Sequence, residues 1–226
     1  MKILVVAPHA DDETLGMGGT IARYAAEGHT VIVAVITGHG ENGKHPLWPR
    51  EIWDTVRAEF RQACRTLGVA EFIFHEVPAA MVADQPKWEI NALTLDILRR
   101  VQPEILYIPF LNDLHKDHRE IFHSFSVGWR PYTEIGQGIR EVYAYETCSE
   151  THLNFPYVEQ GFCPNTWVDI SDYIAVKLKA LSRYQSQIQP HPSARSIKAL
   201  EALATWRGSQ IGTAAAEAFV MVRKIS

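Results

Sequence analysis

Residues 1–28 read MKILVVAPHADDETLGMGGTIARYAAEG, and the fold is decided here. Residues 3–7 form a short apolar run rich in β-branched side chains, the signature of a buried strand. Residues 18–28 read as a helix stopped by its last glycine. Between the two stand His9, Asp11, Asp12 and Glu13, so a polar cluster directly follows a strand.

The alternation continues along the chain. Residues 31–36 read as a second strand, 37–49 as an irregular segment, and 50–67 as a long helix ended by Gly68. A short strand at 72–74, a helix at 88–101 closed by Pro103, and a fourth strand at 105–109 follow. After the fourth strand comes the polar turn 111–117. Residues 141–145 and 166–168 read as further strands, 173–184 and 197–206 as helices, and 189–196 as a proline-bearing loop. Strand–helix alternation of this kind predicts an α/β fold, a doubly wound, mainly parallel sheet covered by helices on both faces. Neither a repeat nor a linker divides the chain, so one domain over residues 1–226 is expected.

Composition narrows the function classes. A formal net charge of -4 offers no broad basic surface, which excludes a general nucleic-acid binder. No apolar run approaches the roughly 20 residues of a transmembrane segment. The first apolar stretch runs into carboxylates too soon for a signal peptide. Cys64, Cys148 and Cys163 are too widely spaced for a disulfide framework or a zinc ribbon, so a cytoplasmic location is expected.

Two polar clusters stand where such a sheet places its ligands, beyond the carboxyl ends of strands. His9, Asp11, Asp12 and Glu13 follow the first strand; His115, Asp117 and His118 follow the fourth. Taken singly, an acidic cluster is often only a helix N-terminus, and HxxH only a polar turn. Taken together, with the first and fourth strands as neighbours, they make a catalytic zinc site with three protein ligands and one open position. The expected ligands are His9, Asp12 and His118. Zn2+ lowers the pKa of its water to about 7, and Asp11 is free to act as general base. His115 serves as acid or electrostatic stabiliser, oriented by Asp117 in the manner of outer-sphere carboxylates.

The stretch PHADDETLGMGGTIA resembles the PHPDDE signature of the LmbE-like (PIG-L) de-N-acetylases, with Ala10 in place of proline. HKDH at 115–118 resembles their HxDH motif. RAEFRQACRTLGV, PNTWVDIS, KALSRYQSQ and RGSQIGTAAAEAF extend the likeness over nearly the whole chain. The resemblance implies a Rossmann-like fold and the same assignment of ligands and base. It also implies hydrolytic removal of the acetyl group from an N-acetylglucosaminyl-type sugar or its conjugate, and assembly into homo-oligomers. It places an arginine near the substrate at Arg57, while Glu59 reads as structural.

Other residues are weaker candidates. His191 and Arg195 in the proline-bearing loop are expected to contact substrate, and Arg207 and Glu217 could line the pocket. The glycine-rich loop 38–46 could touch the sugar. GMGG fails the dinucleotide spacing and sits beside carboxylates that would repel a pyrophosphate, so it reads as a site of close helix packing. The rival functions are the same metal chemistry on an O-acetyl ester or non-sugar amide, and a nucleotide-binding or regulatory module holding a structural metal.

Overall fold

The computed structural model describes residues 1–40 and 45–226. Of the loop 38–46, residues 41–44 lie outside the described residues. Strands β1 (Lys2–Ala7), β2 (Thr30–Gly38), β3 (Glu71–Pro78), β4 (Ile105–Pro109) and β5 (Glu141–Tyr145) lie parallel in the order β3-β2-β1-β4-β5. The sheet is completed by β6 (Thr166–Asp169) and β7 (Ala216–Lys224), with β7 between β5 and β6 and antiparallel to both.

The helices are α1 (Asp12–Ala26), α2 (Arg50–Leu67), α3 (Lys87–Val101), α4 (Lys116–Gly128), the short α5 (Glu134–Gln137), α6 (Ile174–Leu181) and α7 (Ile197–Ser209). Along β1, Ile3, Val5 and Ala7 join a core layer with Met17 and Ile21 of α1, Phe60 of α2 and Ala180 of α6. Leu4 and Val6 face the opposite layer, built with Ile97 and Leu98 of α3 and Ile121 and Phe125 of α4. That is why the strand reads as a continuous apolar run. Each such fully buried aliphatic side chain contributes about 1.5–3 kcal/mol. Among the described residues, no helix is long and apolar enough to cross a membrane.

The chain leaves β1 for β2 and β3, then returns to the other side of β1 as β4. The register Ile3↔Ile105, Leu4↔Leu106, Val5↔Tyr107 puts the carboxyl ends of β1 and β4 side by side. The crevice at that reversal is where the two polar clusters emerge.

Several elements differ from the sequence reading, among them the short α5, which it lacks, and β3, which is longer than expected. Helix α1 begins at Asp12, not at residue 18, because Asp12 and Glu13 occupy its first turn, where the helix dipole favours carboxylates. Helix α4 starts inside the second polar cluster, which reads as a turn in sequence. Strand β7 is an addition; its alanine-rich start hides it, although Phe219 is fully buried against the sheet.

Candidate active site

The turn after β1 is pinned where Thr37 donates both its backbone N–H (3.1 Å) and its hydroxyl (2.7 Å) to the carbonyl of Pro8. Asp11 then takes φ 146° and ψ -22°, a conformation that costs a non-glycine residue about 1–3 kcal/mol. Its carbonyl accepts from the N–H groups of Thr14 and Leu15, which launches α1. Successive side chains therefore diverge. Asp12 turns to His9, accepting its backbone N–H at 2.9 Å. Glu13 turns into the core, where Tyr184 donates to it at 2.6 Å and burial raises its pKa to about 7. Glu13 belongs to the scaffold.

The second cluster closes on the first. His118 Nε2 lies 3.2 Å and His9 Nδ1 3.3 Å from the same Asp12 oxygen. One donor atom from each of His9, Asp12 and His118 falls within 4.8 Å of the others. His118 Nε2 is buried without a hydrogen-bond partner among the described residues, although Asp12 neighbours it. Its other nitrogen donates to Asp113 Oδ2 at 2.7 Å, and the Thr151 hydroxyl holds the second Asp113 oxygen at 2.6 Å.

The electrostatics suit a cation. Burial alone would lower the His118 pKa, yet the charge of Asp12 and the bond to Asp113 raise it to about 10. Burial likewise opposes the Asp12 charge, but His118 and His9 hold its carboxyl far below the usual range. Both shifts favour positive charge beside the Asp12 carboxylate. Two imidazoles and one carboxylate with a free, aimed Nε2 fit borderline-soft zinc.

Asp117 differs in its partner from the sequence reading. Its carboxylate lies 3.0 Å from His9 Nε2 and 4.0 Å from His115 Nδ1. The backbone N–H groups of Ala80 (2.6 Å) and Val82 (3.2 Å) donate to it as well. Asp117 therefore steadies His9, while His115 is oriented by the backbone: the Asp117 N–H donates to its Nδ1 at 3.1 Å. A neutral His115 so held carries its proton on Nε2. Burial, and then the neighbouring His9, push its pKa down to about 4.

A cavity of about 380 Å³ opens over these groups. His9, Asp12, His115, His118, Glu150 and Arg195 line its polar side; Trp48, Ile52, Trp53 and Val56 form an apolar wall at the start of α2. Arg195 lines the cavity and forms an ion pair with the buried Asp11, which places this loop residue at the site. The other weak candidates lie elsewhere. Arg57 pairs with Glu76 and stacks 5.0 Å from the Phe74 ring, outside the lining. His191 is exposed and does not line the cavity. Arg207 is buried against Glu146, and Glu217 against Lys177. Glu59 accepts from Ser186 and is structural, as expected.

Sequence reasoning missed Asp113 and Glu150. Asp113 had a signal, an aspartate five residues before His118 at the start of the second polar cluster. Glu150 had none, since it follows β5 and reaches the cavity only through the fold.

Known proteins resemble the chain in sequence and in fold. The family described as PIG-L: GlcNAc-PI de-N-acetylase matches residues 4–127. The chain is 29% identical to a 1D-myo-inositol 2-acetamido-2-deoxy-alpha-D-glucopyranoside deacetylase of Actinosynnema mirum, over 83% of this chain and 81% of that protein. It is 26% identical to a diacetylchitobiose deacetylase of Thermococcus kodakarensis, over 82% of this chain and 70% of that one. In structure it superposes on a conserved protein of Thermus thermophilus with TM-score 0.77 and 25% identity, over 100% of this chain and 96% of the other.

Proposed function

We propose a reaction from one premise: this chain belongs to the PIG-L, GlcNAc-PI de-N-acetylase, family. It is a hydrolase of carbon–nitrogen bonds other than peptide bonds, and its substrate is an N-acetylated amino sugar. The finer reading is a zinc-dependent removal of the acetyl group from an N-acetylglucosaminyl sugar or its conjugate. One observation supports it: His9, Asp12 and His118 converge in a single cavity that Arg195 also lines, and Arg195 pairs with the carboxylate of Asp11 beside them.

His9, Asp12 and His118 would hold the metal, which when bound supplies Lewis-acid polarisation and a more acidic water. Asp11 accepts the proton of the water that attacks the acetamide carbonyl. The same carboxyl then returns that proton to the departing amine, so free amine and acetate leave together. General base catalysis of this kind contributes about 10²–10⁴-fold. His115, neutral and with its proton on Nε2, donates a hydrogen bond to the carbonyl oxygen as negative charge develops there. Asp113 and Asp117 fix the rings of His118 and His9. Arg195 positions Asp11 and, with Glu150, offers polar contacts to sugar hydroxyls, while Trp48 and Trp53 supply apolar faces.

The test is a panel of free, aryl, lipid-linked and nucleotide-linked N-acetylglucosamine with zinc-loaded protein, following acetate and free amine together. Release of both in equal amounts is expected. No release from any member, by protein with full metal content, would contradict the reading.

A further inference from the structure

Helix α1 is broken. Met17 has φ -148° and ψ 27°, which separates the turn 12–16, bearing the site carboxylates, from the helix 18–26. A break leaves N–H donors unpaired on its far side and carbonyl acceptors on its near side. Both sets find partners in one buried ion pair. The Glu217 carboxylate of β7 accepts the N–H groups of Gly19 (3.0 Å) and Thr20 (2.6 Å). The Lys177 ammonium of α6 donates to the carbonyl of Leu15 (3.0 Å) and to Glu217 Oε1 (2.6 Å).

The pair is 4% and 3% exposed, so it is desolvated, and such pairs are often no more stabilising than apolar residues of similar volume. Their geometry accounts for them better than stability does. Lys177 closes the carboxyl end of the turn, and Glu217 caps the amino end of the helix that follows. The glycines of GMGG let the broken helix lie close to its neighbours: a Cβ on Gly16 would meet the Tyr145 ring at 2.4 Å, and one on Gly19 the Ile170 side chain at 2.6 Å.

We propose that Lys177 and Glu217 are positioning residues for the catalytic site. By capping the two sides of the break in α1, they set the direction in which its first turn presents Asp11 and Asp12. This rests on Asp12 being a metal ligand.

The test compares wild type, Glu217→Ala, the double variant Lys177→Met/Glu217→Met, and Ile97→Ala, a core truncation in α3. Melting temperature, zinc affinity by chelator competition and the absorption spectrum of the cobalt-substituted protein are read for each. Misplaced outer groups typically cost about 10–100-fold in metal affinity. The double variant leaves the backbone groups of Leu15, Gly19 and Thr20 unpaired and should melt below wild type. Unlike Ile97→Ala, it should also bind zinc that much more weakly, with a shifted cobalt spectrum. Ile97→Ala should lose stability and keep both metal readouts. A double variant that binds zinc like wild type with an unchanged cobalt spectrum, whatever its melting temperature, overturns the proposal. So does a Glu217→Ala protein that loses stability alone, as Ile97→Ala does. If the apolar variants do not fold, Glu217→Gln, which keeps its volume and one acceptor, decides by the same spectrum. Absence of metal binding in wild type would instead overturn the reading of the site itself.

Discussion

The Oδ2 atom of Asp113 lies 2.7 Å from Nδ1 of His118, and this contact aims the opposite ring nitrogen at Asp12. Asp113 is fully buried, and burial raises its pKa while the bond and charge of His118 act against that. Asp113→Ala should therefore lower zinc affinity by about 10–100-fold, checked by chelator competition. Unchanged affinity would show that His118 is held by packing alone.

His115 should be neutral at pH 7, with its proton on Nε2. Its Nδ1 accepts the Asp117 N–H, and burial lowers its pKa to about 4. Nitrogen-15 shifts of the imidazole across pH 5–8 report tautomer and charge directly. A doubly protonated ring at pH 7 would make His115 a stored acid and not a hydrogen-bond donor to the developing oxyanion.

The buried Glu146 couples stability to pH. Burial raises its pKa, but the bonds from His152 and Arg207 outweigh that and hold it below 4.5. The unfolded chain thus binds the proton more tightly. The stabilisation is fully present above the unfolded value and is lost as pH falls through the lower folded value. Wild type should lose stability on acidification below about pH 4.5, and Glu146→Gln should show a shallower dependence there. At pH 7 that variant should be weaker by about 3–5 kcal/mol, since Arg207 is left as a buried unpaired charge. Parallel denaturant titrations measure both.

Much of this site is legible in the sequence because its residues sit at strand ends. The apolar runs at 3–7 and 105–109, each followed by a polar cluster, are enough to place β1 beside β4. Proximity in sequence misleads for Asp117: it stands two residues from His115, but its carboxylate reaches His9, 108 positions away. Arg57 lies in the helix expected to face the site, yet Glu76 at the end of β3 captures it. Strand β7 and the Lys177–Glu217 pair depend on long-range contacts that no local pattern records.

The two adjacent aspartates carry the central claim. Asp12 turns to His9 and His118, while Asp11 turns to Arg195, which lines the cavity. Metal content and steady-state deacetylation should be measured on Asp12→Ala and Asp11→Asn. Asp12→Ala should lose metal and activity together. Asp11→Asn should keep its metal and lose about 10²–10⁴-fold in kcat with little change in KM, because the proton moves only in the transition state. A metal-free Asp11→Asn beside a fully loaded Asp12→Ala would contradict the account.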